Sequence, residues 1–145
     1  MTVHHVAIVT SDVARSLRFW RDGLGLAKLM DQTFTGDWPT LFGARSDVLR
    51  SVFLGDPASA DACIVELVVF DDVQGQPRKV GTPGFGLFLL SLNRDVDDTL
   101  DKLAELGFDD GVRRITMPSP EGRTVQMAVI TAPDGVLVEL IGAAE

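Results

Sequence analysis

Cysteine, histidine and positive charge are all scarce in this chain of 145 residues. The single Cys63 excludes an intrachain disulfide and a cysteine-based zinc site, and it fits a reducing compartment. Thirteen Lys and Arg against 21 Asp and Glu leave a formal net charge of −8. That balance argues against nucleic acid or an anionic membrane as partner, because both need concentrated cations. No apolar run approaches the roughly 20 residues that span a bilayer. The start, Met1-Thr2-Val3-His4-His5, lacks the charged and apolar regions of a signal peptide, so a soluble cytoplasmic protein is expected. Residues 81–86 lack the Lys and spacing of a P-loop, and no dinucleotide fingerprint is present. Two histidines are present, and they are adjacent.

What remains is an ordinary globular composition, 46% hydrophobic and 23% charged, at a length typical of one domain. Val3–Val9 is short and β-branched and reads as a buried strand. Asp12 can cap a helix whose stripe is Val13, Leu17, Trp20 and Leu24, and Gly25 stops it. Strands are expected around Ala27–Thr33, Asp47–Leu54 and Ala62–Phe70, with a short helical turn over Trp38–Ala44. Residues 71–84, rich in Gly and Pro, read as a linker. The order then repeats. A strand over Phe85–Leu92 leads to Asp95 and a helix with stripe Val96, Leu100 and Leu103, stopped at Gly107. Strands follow around Gly111–Met117, Thr124–Thr131 and Val136–Ile141, parted by turns at Glu121-Gly122 and Pro133-Asp134-Gly135. Asp to Gly spans thirteen residues in the first half and twelve in the second. The chain is thus an internal duplication with one module over about 1–70 and another over about 85–145.

Two tripeptides carry the chemical signal. Val65-Glu66-Leu67 and Val138-Glu139-Leu140 each set a carboxylate in the middle of an apolar strand, at equivalent places in the two halves. A buried carboxylate needs a cation, a metal or a hydrogen-bond donor. A strand that turns this face to water is the other reading, and the residues alone leave both open. Strand alternation puts His5 with Val3, Ala7 and Val9, and His4 with Val6 and Ile8, so the two imidazoles are expected on opposite sides. Arg78-Lys79 and Arg113-Arg114 are basic pairs that could receive an acidic group. Cys63 has no second His to activate it.

The run His5-Val6-Ala7-Ile8-Val9-Thr10-Ser11-Asp12, then Ser16-Leu17-Arg18-Phe19-Trp20-Arg21-Asp22-Gly23-Leu24-Gly25, resembles the opening of the vicinal oxygen chelate superfamily. The closing Ala132-Pro133-Asp134-Gly135 and Val138-Glu139-Leu140 resemble that superfamily's ending, with Ala132 in place of an Asp. The resemblance covers nearly the whole chain. It implies an α+β fold of two tandem βαβββ modules forming a curled mixed-sheet cup in a single domain, 1–145, and a homodimer. By position it implies a divalent ion (Ni, Co, Mn or Zn) held by His5, Glu66 and Glu139. The fourth position, seven residues before Asp95 as His5 is seven before Asp12, falls on Phe88, which cannot ligate a metal and leaves a metal-free cup open. A two-His iron centre needs two imidazoles on one side, so extradiol dioxygenase chemistry is not expected. The expected activity is a metal-dependent isomerase, epimerase or lyase of glyoxalase type on a small oxygen-rich carbonyl substrate. Glu139, then Glu66, are the candidate catalytic bases. The alternative is metal-free sequestration of a small molecule, as in bleomycin resistance. Phe88, Trp38, Phe34, Met117 and Met127 are candidate liners of the substrate site, and core packing is the competing role for each.

Overall fold

The computed structural model describes residues 3–59, 64–71, 73–75, 85–119 and 122–145. Cys63, Arg78-Lys79, Glu121 and most of the expected linker (72 and 76–84) lie outside the described residues. The chain divides into two compact units, Met1–Gln76 and Pro77–Glu145. Each is an α+β module with one open, mixed, four-stranded sheet.

In the first unit, β1 (His5–Val9) runs into α1 (Val13–Leu17), which continues as a π-helix over Arg18–Gly23. β2 (Ala27–Thr35), α2 (Trp38–Phe42), β3 (Val48–Gly55) and β4 (Ile64–Val69) follow. The strand order is β1-β4-β3-β2, so the first strand of the module lies parallel beside its last. Asp12 caps α1 by accepting from the Arg15 N–H at 2.9 Å. The paired rows Ile8–Leu67–Val52 and Val65–Leu54 form one face of the sheet. Those residues are buried, as are Phe19, Trp20 and Leu24 of the helical segment. The buried helical face also takes in Ser16, whose Oγ lies 2.9 Å from Thr10 Oγ1. Val13 and Leu17 of the expected stripe are only half-buried, and Ser16, Phe19, Trp20 and Leu24 carry the buried side of this segment instead.

The second unit repeats the plan with β5 (Leu89–Asn93), α3 (Val96–Glu105), β6 (Arg113–Pro118), β7 (Thr124–Thr131) and β8 (Leu137–Ala144), in the order β5-β8-β7-β6. Its core rows are Leu92–Leu140–Ala128 and Leu90–Val138–Ile130, with buried Val96, Leu100 and Leu103 on α3. The expected strand over Phe85–Leu92 is shorter and later than its sequence pattern. β5 starts at Leu89, where the ladder with Leu137 begins, and Phe85 and Leu87 are exposed. Apolar residues without a ladder partner do not make a strand.

Candidate active site

Glu66 and Glu139 lie on the face of each sheet opposite the helix-covered core. Glu66 is paired with Ala7 on one side and Phe53 on the other, and Glu139 with Ser91 and Val129. Alternation therefore places His5, Glu66, Ser51, Phe53 and Phe34 on one face of the first sheet. It places Glu139, Met127 and Met117 on one face of the second.

The first unit joins these residues into a chain of contacts. Ser51, only 2% exposed, donates from Oγ to Glu66 Oε1 at 2.5 Å. Glu66 Oε2 stands 3.2 Å from His5 Nε2. The other ring nitrogen of His5, Nδ1, stands 2.8 Å from Nδ1 of His4. Both imidazoles pack near Phe53, with ring centroids 5.4 Å (His5) and 6.1 Å (His4) away. The carboxylate of Glu66 is 14% exposed and the ring of His5 37%, so one end of the chain is sheltered and the other meets solvent.

The expectation that the two histidines face opposite sides is overturned. β1 begins at His5, and His4 has no partner in the ladder, so alternation does not fix its direction. Its ring turns back onto His5. The two Nδ1 atoms stand at hydrogen-bond distance from each other.

The second unit has the same frame with different side chains. Two residues before the partner of Glu66 stands His5; two before the partner of Glu139 stands Leu89. Register thus assigns the fourth position to Leu89, and counting back from Asp95 misses it by one. The cause is the connection: two residues separate β1 from Asp12, and one separates β5 from Asp95. Likewise Met127 stands where Ser51 stands, and Val129 where Phe53 stands. Glu139, half-buried, has no hydrogen-bond or ion-pair partner among the described residues of its unit. The Arg113-Arg114 doublet splits between faces. Arg114 binds Asp97 and Gln126. Arg113 lies in the row Arg113–Val129–Glu139 and is exposed.

Of the candidate liners, Trp38 stacks on Phe42 at 5.6 Å and 11°, and its Nε1 donates to the Phe34 carbonyl. Phe42 in turn meets Phe70 edge to face. Beside these rings opens a hollow of about 770 Å3, lined in part by Val9, Phe42, Arg45, Phe70 and Val73. Sequence reasoning missed Phe42 and Phe70; the stacking spacing of Trp38 and Phe42, one helical turn apart, was the available signal. Phe88 is half-buried just before β5. Within either unit, no three described His, Cys, Asp or Glu side chains gather into a group that could hold a metal ion. Unit one brings together an imidazole nitrogen and a carboxylate oxygen, donor types that suit a borderline divalent ion.

Comparison with known proteins agrees with this architecture. The profile of the Glyoxalase/Bleomycin resistance protein/Dioxygenase superfamily matches residues 2–140. The lactoylglutathione lyase-like protein terB of Aspergillus terreus is 34% identical over 145 residues, covering 96% of this chain and 74% of that one. A glyoxalase family protein from Bacillus cereus superposes with a TM-score of 0.73 at 15% identity, over 98% of this chain and 93% of that one. A glyoxalase I mutant from Zea mays superposes with a TM-score of 0.68 at 23% identity, and this chain spans 45% of its length. The two structural likenesses speak for the fold, and the profile and the fungal relative for the family. With a βαβββ unit in each half and a match over nearly its whole length, the chain belongs to the Glyoxalase/Bleomycin resistance protein/Dioxygenase superfamily.

Proposed function

We propose that this chain is a divalent-metal-dependent isomerase, epimerase or lyase of glyoxalase type, acting on a small oxygen-rich carbonyl substrate. The observation that carries the reading is the approach of His5 Nε2 and Glu66 Oε2 to 3.2 Å from neighbouring strands. His5, Glu66 and Glu139 would hold the ion, with Ni, Co, Mn or Zn as candidates. A bound ion would supply Lewis-acid polarisation of the substrate carbonyl. Ser51 takes one oxygen of Glu66 and leaves the other to the site. Glu139, without a partner among the described residues of its unit, would accept the proton beside the carbonyl and return it, with Glu66 second as base. Phe34, Trp38, Phe88, Met117 and Met127 would supply apolar contact to the rest of the substrate.

The test is metal analysis of the purified protein after exposure to each ion in turn. About one ion per chain is expected. His5→Ala or Glu139→Ala should bring the content to background while leaving the melting transition in place. Absence of binding for every ion ends this reading.

A second reading, metal-free sequestration of a small molecule, draws on a separate observation. The aromatic hollow of the first unit is large enough for a drug-sized ligand, and Arg45 stands at it as a cation. Ligand protection against thermal unfolding, sought across a panel of aromatic acids, checks it; a flat response discards it.

A further inference from the structure

We propose that His4 is a positioning residue that sets the tautomer and ring plane of His5. What this does at an ion rests on the metal-dependent reading above; the tautomer lock itself does not. A neutral imidazole carries one N–H and one bare nitrogen. The two Nδ1 atoms lie 2.8 Å apart, so one must donate and the other accept. The tautomers of the two rings are therefore coupled in opposite senses. When His5 donates from Nε2 to Glu66 Oε2, its Nδ1 is bare and His4 must be the Nδ1–H form. When His5 Nε2 is bare, as a ligand nitrogen must be, its proton sits on Nδ1 and is donated to His4. The proton of His4 then sits on its own Nε2. His4 thus serves as donor in one state and as acceptor in the other, which a backbone carbonyl could not do. Phe53 packs near both rings and restricts their rotation. His4 touches no substrate in this scheme; it acts through His5.

The experiment uses the whole chain labelled with 15N in histidine. Two histidines give four ring-nitrogen signals, all assignable with one variant. The spectra are recorded at alkaline pH. Without metal, His4 is expected in the Nδ1–H form, the minor form of a free histidine side chain, and His5 in the Nε2–H form. Finding both rings Nε2–H overturns the proposal. Zinc is then added. The expected result is that both rings exchange tautomer together; zinc bound with His4 unchanged overturns the proposal. If no zinc binds, the spectrum without metal alone decides this proposal, and the metal reading is decided by the remaining ions. His4→Phe, which keeps the ring and removes both nitrogens, should weaken zinc binding about 10-fold, whereas His4→Gln, both donor and acceptor, should recover most of the loss. Equal zinc affinity in His4→Phe and the unaltered chain refutes positioning.

Discussion

Glu66 divides its two carboxylate oxygens between Ser51 and His5, and that division sets what single substitutions cost. Ser51→Ala leaves Oε1 without its donor in a sheltered place, with an expected loss of about 1–2 kcal/mol in urea unfolding. Phe53, paired directly with Glu66, offers no replacement donor. A different pair governs the acid response. Arg50 donates from Nε and Nη2 to the two oxygens of Asp31, both at 2.9 Å, across β2 and β3. Those hydrogen bonds, aided by the charges of Arg50 and Lys28 and opposed by partial burial, lower the pKa of Asp31. A carboxylate with a lowered folded value adds stability above its unfolded value and loses it as pH falls through the folded one. Asp31→Asn is therefore expected to cost about 0.5–1 kcal/mol at pH 7, a modest figure because Arg50 is largely exposed. The difference from the unaltered chain should shrink in unfolding curves as pH falls below the ordinary carboxylate range and vanish only below the lowered folded value of Asp31.

At the scale of elements, twelve residues between cap and stop in the first module against eleven in the second account for the π-helix. The first module carries one residue more in the same span, and Arg18–Gly23 absorbs it by widening a turn, with Leu24 N–H donating to the Phe19 carbonyl. The second module, one residue shorter, runs as α3 with Asp95 capping through the Asp98 N–H. Asp95→Ala should cost about 1 kcal/mol, read as a fall in the urea midpoint. Gly36 precedes α2 under the ring of Trp38, where a Cβ would sit 2.8 Å from Cζ2. Gly36→Ala is expected to lift that ring off its stack with Phe42. A shift in tryptophan emission reports it, since Trp20 is fully buried and supplies an unchanged component. Order and type of the elements were legible because alternation, capping Asp and stopping Gly are local signals, and β7 falls on its expected bounds, Thr124–Thr131. Where the reading failed, the ladder rather than the pattern decides. His4 lies one residue outside the ladder, Phe85 and Leu87 have no partner strand, and a connection one residue shorter moved the fourth position from Phe88 to Leu89.

For the molecule as a whole, the duplication was visible in the sequence because both halves repeat the same punctuation. The pairing that matters at the site was less visible, because it joins residues far apart in the chain. Sequence could name Glu66 and His5 by position, but not that Ser51 would lock the carboxylate, since that contact depends on β3 and β4 register. Each unit buries its own core and completes its own ladder, so a ligand that binds only folded chain stabilises it by mass action. At a free ion concentration of about 100 times Kd, the gain is about 2.7 kcal/mol. For a chain of this size, that should raise the thermal midpoint by roughly 5–10 °C. His5→Ala should remove the rise without lowering the starting midpoint by a comparable amount. The matched registers of the two sheets carry one more consequence. Around Glu139 the backbone already offers the positions that hold imidazole and hydroxyl in the first half, filled there by Leu89 and Met127. Leu89→His with Met127→Ser would set beside Glu139 the imidazole and the hydroxyl that stand beside Glu66, on backbone whose register already matches.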